Sequence, residues 1–125
     1  MNTLLFVALF GALGCVSRYG LVEAFYALFG NRFPYGILMI NVLGSFLIGF
    51  LSLLLVYKWP HLPLLRPGIL VGFLGGFTTF SSFSYDAVQM ITHGAWVKAV
   101  IYVMASVGLC LIATFLGLAL AQGLR

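Results

Sequence analysis

Of 125 residues, six are Lys or Arg and two are Asp or Glu, while 63% are hydrophobic and the mean hydropathy is +1.18; an average soluble domain is about one-quarter charged. So few charges cannot cover a water-facing surface, and they exclude a disordered tail, a coiled coil and a nucleic-acid binder that works by neutralising phosphates. The formal net charge of +4 is spread along the chain instead of forming a basic face, so it bears on orientation in a bilayer.

A hydrocarbon core about 30 Å thick takes about 20 helical residues. Three turn-forming stretches divide the chain as four crossings require: Phe29-Gly30-Asn31-Arg32-Phe33-Pro34, Lys58-Trp59-Pro60-His61-Leu62-Pro63 and Thr92-His93-Gly94-Ala95-Trp96. The chain therefore reads as an all-α membrane protein, a single domain of four transmembrane helices over about 3–28, 34–57, 65–91 and 96–122. Trp59, Trp96, Tyr57, Tyr26 and Tyr35 lie at or near the span ends, as an interfacial aromatic belt requires.

The first span is not read as a secretory leader, because Met1-Asn2-Thr3 has no basic residue and the apolar stretch runs past signal length. Ala12-Leu13-Gly14-Cys15 lacks the residues of a lipoprotein cleavage site, and Cys15 and Cys110 read as buried small hydrophobes without a disulfide or metal partner. On the second span Asn41, Ser45 and Gly49 recur every four residues beside Gly44 and Ser52, a narrow face of small and polar groups. The glycines read first as packing positions, but the amide of Asn41 must find partners or meet water.

On the third span Gly68, Gly72 and Gly76 form a small-residue face that another helix can approach closely. Farther on, Gly75-Gly76 and Thr78-Thr79 make a poor helix interior, which predicts a break in mid-membrane. Backbone freed at that depth is tolerated only if it is buried in protein, binds an ion or lines a wet cavity, and unwound carbonyls favour a cation. The hydroxyls of Ser81, Ser82 and Ser84 follow, with Phe80 and Phe83 on one face. A phenyl ring has a positive edge, so two rings turned edge-on beside hydroxyl and amide donors suit an anion without a formal positive charge. Lipid-facing or core-filling phenylalanines are the alternative on spacing alone. The fourth span repeats the polar stripe with Tyr102, Ser106, Cys110 and Thr114, one turn after Lys98.

Four spans put Lys58, Arg66 and Arg125 on one side and Arg32 and Lys98 on the other, leaving out Arg18 within the first span. An excess of one basic residue is close to no orientation instruction, which permits insertion both ways up and an antiparallel homodimer with its two-fold axis in the membrane plane. A small bias that fixes one topology is the other reading.

Gly14-Cys15-Val16-Ser17-Arg18-Tyr19, Asn41-Val42-Leu43-Gly44-Ser45-Phe46-Leu47-Ile48-Gly49 and the segment Gly72 to Ser84 resemble the Fluc (CrcB) fluoride-channel family, and the likeness covers the whole chain. The resemblance implies a dual-topology antiparallel homodimer with two pores in the cell (inner) membrane of a microbe, exporting cytoplasmic fluoride passively and so reducing its toxicity. It implies a structural Na+ on the dimer axis, held by backbone carbonyls that map to Gly75 and Thr78 of both subunits. The paired phenylalanines match Phe80 and Phe83, the pore asparagine Asn41, and the fourth-helix polar track Tyr102 and Ser106, with Cys110 a weak continuation. Ser81 and Ser84 join the fluoride pathway, and Arg18 matches an arginine near the end of the first helix, at an aqueous vestibule. Glu23 and Asp86 are given no chemistry.

Independently of that likeness, no nucleotide-binding loop and no pair of mid-span carboxylates is present, so a passive pore fits better than a pump or an enzyme. Two competitors remain: a small multidrug-type proton-coupled transporter, whose membrane carboxylate would have to be Glu23, and a noncatalytic assembly subunit whose stripes are only packing faces.

Overall fold

A computed structural model describes residues 2–124; Met1 and Arg125, one of the six basic residues counted above, lie outside the described residues. Within them all regular structure is helical. Helix α1 (Asn2–Phe29) and helix α2 (Tyr35–Lys58) are followed by α3 (65–77), whose middle, Gly68–Phe73, is wound as a π-helix. Helix α4 (Phe80–Thr92) and helix α5 (Trp96–Leu124) complete the chain. Apolar composition continues through α1, α2 and α5, and all three are long enough to cross a bilayer. The turns after α1 and before α5 each contain a glycine in the left-handed region, Gly30 at φ 79° and Gly94 at φ 82°, where a side chain would be strained.

Two close helix pairs organise the bundle. Helix α1 lies along α3, and the glycine stripe of α3 is what admits it. A Cβ on Gly72 would stand 2.8 Å from the Val7 carbonyl oxygen, one on Gly76 2.6 Å from that of Gly11, and one on Gly14 would collide with the Phe73 carbonyl. Helices α2 and α5 cross as closely: a Cβ on Gly49 would strike the Thr114 carbonyl, and one on Gly117 the Phe46 carbonyl. The Thr114 hydroxyl donates to Ser45 O at 3.1 Å across this contact. Bare backbone at both crossings lets dispersion forces act over short distances, the main attraction left between helices once lipid replaces water.

Replacing Gly117 by Ala is therefore expected to destabilise the bundle by about 1–3 kcal/mol, read as a lower unfolding midpoint in detergent. Gly108→Ala is the control, since a Cβ there meets nothing within 4 Å.

The buried core gathers Ile37, Ile40, Phe77, Phe83, Ala87 and Tyr102 from α2, α3, α4 and α5. The exterior is apolar: Leu4, Leu9, Leu13 and Val16 on α1 and Leu111, Ile112 and Phe115 on α5 are all exposed, as a lipid-facing surface requires. The two cysteines correct the expectation that both are buried. Cys15 is exposed and Cys110 half-buried, and both are free thiols, because each lies on a face the chain itself leaves uncovered.

Candidate functional site

Helix α3 stops where its sequence stops favouring helix. Thr78 and Thr79 adopt extended conformations, with ψ of 158° and 117°, before α4 begins at Phe80. Two of the hydrogen bonds that a continuous helix would make here are replaced. The Thr79 N–H, which would go to the Gly75 carbonyl, donates to Asn41 Oδ1 at 2.8 Å. Asn41 Nδ2 donates in turn to Thr79 O at 3.0 Å. The Ser82 N–H, which would go to the Thr78 carbonyl, donates to the Thr79 hydroxyl at 3.1 Å, so Thr79 serves as N-cap of α4. The break removes helical donors from the carbonyls of residues 75 to 78, and for Gly75 and Thr78 the donor has visibly been diverted to a side chain. The neighbouring Gly76 carbonyl is taken by Arg18, whose Nε donates to it at 3.0 Å.

Beside the interruption lies a cavity of about 400 Å³ lined by Asn41, Gly44, Ser45, Gly75, Thr78, Thr79, Phe80, Phe83, Ser106 and Cys110, with Ile48, Leu70, Leu74, Val107 and Leu111 completing its wall. No carboxylate, lysine, arginine or histidine lines it. Gly44 is a glycine because a Cβ there would collide with the Thr78 methyl group. Gly75 meets no such limit; a Cβ on it finds nothing within 4 Å, since that side of α3 faces the open cavity. Phe80 stands at the rim, 77% exposed, and Phe83 is buried at 8%. Their ring centroids are 5.4 Å apart at 57°. Phe83 packs in turn on Tyr102, at 5.1 Å and 50°.

Tyr102 is fully buried and Ser106 is 6% exposed. The Ser106 hydroxyl has no hydrogen-bond partner among the described residues, and the Tyr102 hydroxyl faces the Asp86 carboxylate without a close hydrogen bond to it. A buried polar group left unpaired costs about 1–3 kcal/mol. Ser106 at the cavity wall and Tyr102 one turn away on α5 are two buried hydroxyls, of which Ser106 is unpartnered and Tyr102 has the Asp86 carboxylate beside it.

Of the sequence candidates, Asn41, Phe80, Phe83, Ser106, Gly75 and Thr78 share this cavity, and Tyr102 adjoins it through Phe83. Ser81 and Ser84 do not join them; both are exposed on α4, and Ser81 Oγ lies 3.2 Å from Thr79 Oγ1. The position of Arg18 needs correction: because α1 continues to Phe29, Arg18 sits about three turns before the helix end, with its guanidinium on the Gly76 carbonyl. Thr79 was missed as a structural partner. The signal was present, since an amide needing partners and a break freeing N–H and C=O groups have complementary demands. No group of three or more His, Cys, Asp or Glu able to hold a metal exists among the described residues, so a cation at this site has only carbonyl and hydroxyl oxygens to meet.

Long apolar helices and a lipid-compatible exterior define a multi-pass helical membrane protein, with an open cavity free of ionised side chains beside the interruption. The chain belongs to the CrcB family: the family model described as CrcB-like protein, Camphor Resistance (CrcB), matches residues 5–118. It is 46% identical over 124 residues to the Fluoride-specific ion channel FluC of Geobacter sulfurreducens, covering 99% of this chain and 100% of the relative. It is similarly 44% identical to the proteins of that name from Geotalea uraniireducens, covering 99% and 100%, and Rhizobium meliloti, covering 99% of both.

Proposed function

We propose that this protein is a fluoride-selective channel, and not an enzyme, that lets cytoplasmic fluoride leave a cell passively through the cell (inner) membrane and so lowers fluoride toxicity. The observation that carries the proposal is the buried, unpartnered Ser106 hydroxyl at a cavity with no ionised lining, with the buried Tyr102 hydroxyl one turn away beside Phe83. Fluoride is small and strongly hydrated; hydroxyl O–H groups and the positive edges of Phe80 and Phe83 replace its water, with Ser81 and Ser84 beyond the rim. Neutral donors hold an anion weakly enough for it to leave, as conduction requires. Hydrogen fluoride enters as a neutral acid and dissociates inside; a negative-inside potential then drives the anion out without energy coupling. Arg18 adds positive potential beside the break, where its guanidinium holds the Gly76 carbonyl.

In this proposal α3 and α4 together make one broken span, because each has 13 residues and rises only about 20 Å. With α1, α2 and α5 that makes four crossings. The open side of the cavity, with Leu70, Val107 and Leu111, faces a second copy in an antiparallel homodimer, and the near-even division of basic residues supports dual topology. The carbonyls of Gly75 and Thr78, released from helical bonding by Asn41 and Thr79, fit a structural Na+ shared with the partner copy. Bound there, the ion would supply positive charge to offset the facing carbonyl dipoles.

The multidrug-type transporter draws no support: Glu23 is exposed on α1, away from the cavity, and the relatives' name denotes a fluoride channel. The test is efflux from liposomes loaded with potassium fluoride, with a potassium ionophore and equal pH on both sides. Fluoride release is expected; release that needs a pH gradient, or proton-dependent uptake of organic cations, would overturn the proposal.

A further inference from the structure

Away from the cavity, where the turn between α1 and α2 meets the start of α5, a groove of about 560 Å³ opens between Phe33, Trp96, Val97, Lys98 and Ile101. Its wall is apolar except for Lys98. The Lys98 ammonium donates to the Arg32 carbonyl, which fixes it beside the Arg32 residue and leaves two of its three N–H donors unspent. The Arg32 guanidinium is exposed and has no partner among the described residues. The chain has only two acidic residues, Glu23 and Asp86, and neither lines the groove. Lys98 in the groove is thus tied to the backbone of a second basic residue, Arg32, and no carboxylate lines the groove to neutralise either. They stand at the ends of membrane-length helices, the depth at which the exposed Trp96 ring marks the headgroup region.

We propose that this groove binds one anionic glycerophospholipid. Its phosphate accepts hydrogen bonds from the free donors of Lys98 and from the Arg32 guanidinium, and an acyl chain lies against Phe33, Val97 and Ile101. Charge complementarity selects the anionic class: a zwitterionic headgroup brings its own cation to a site that already has two basic residues and no carboxylate to receive it. The groove shares no lining residue with the cavity, though its Phe33 wall packs edge-on against Tyr102 at 5.4 Å, so the lipid lies beside the proposed fluoride path at a site of its own.

Each basic residue near an anionic lipid surface strengthens attraction by about fivefold. Native mass spectrometry of the full chain, released from micelles holding equal phosphatidylglycerol and phosphatidylcholine, reads the site directly. The wild type is expected to retain phosphatidylglycerol preferentially. Arg32→Gln, whose side chain supports nothing in the fold, should weaken that retention about fivefold, and Arg32→Gln with Lys98→Gln about 25-fold. Lys58→Gln, at the opposite end of α2, should leave it unchanged. Equal retention of both lipids by the wild type, undiminished retention by Arg32→Gln and the double variant, or displacement of the lipid by millimolar inorganic phosphate would each overturn the proposal.

Discussion

Phe80→Ile and Phe83→Ile are each expected to lower fluoride efflux by at least about 30-fold while the purified protein keeps its oligomeric state. Isoleucine fills much of the space of a phenyl ring but has no quadrupole, so an anion entering the cavity would meet aliphatic hydrogens where it had met a positive ring edge. Leaving a desolvated polar species without a partner costs about 2–7 kcal/mol, and 1.4 kcal/mol is a factor of ten in rate. Phe80→Ile is the cleaner of the two because Phe80 is 77% exposed and supports little of the core. Phe83 packs on Tyr102, so its variant also loosens the core around a buried ring. Flux measured in liposomes, alongside size-exclusion profiles, separates the effects; unchanged flux in both variants would remove the ring edges from the mechanism.

Asn41→Leu should be more damaging to the fold. Its amide makes both hydrogen bonds of the Thr79 backbone, and removing it strands an N–H and a C=O in a part-buried site. At about 1–3 kcal/mol for each orphaned group, the loss is about 2–6 kcal/mol, visible as a large drop in the unfolding midpoint in detergent and as loss of flux. Without the amide, the Thr79 N–H has its helical acceptor, the Gly75 carbonyl, available again. Full stability and normal flux in Asn41→Leu would show that the interruption holds its shape by other means.

Much of the fold is legible in the sequence because membranes enforce simple rules. Long apolar stretches of α1, α2 and α5 leave helix as the only economical way to satisfy the backbone, and Gly30 and Gly94 stand where the turns need positive φ. The glycine stripe at 68, 72 and 76 announces a close contact. That α1 fills it is not legible, since spacing specifies how near a helix can come but not which helix comes. At the site, the demand of Asn41 for a partner is legible, whereas its choice of Thr79 depends on residues 38 positions apart meeting in the bundle. Residue type alone also fails to divide the hydroxyls: Ser81 and Ser106 are chemically alike, but one is exposed on α4 and the other buried without a partner on α5. The cysteines go astray for the same reason, because hydrophobicity does not say which faces a single chain leaves uncovered.

The most direct test of fluoride permeation through neutral donors is the reversal potential of the purified protein in a planar bilayer, with a tenfold fluoride gradient, equal pH on both sides and a large impermeant anion making up the balance. A fluoride-selective passive pore predicts a current that reverses near the fluoride equilibrium potential, about 59 mV from zero, and stays there when chloride replaces the impermeant anion. A reversal that follows chloride or an imposed proton gradient, or the absence of any fluoride current, would contradict it.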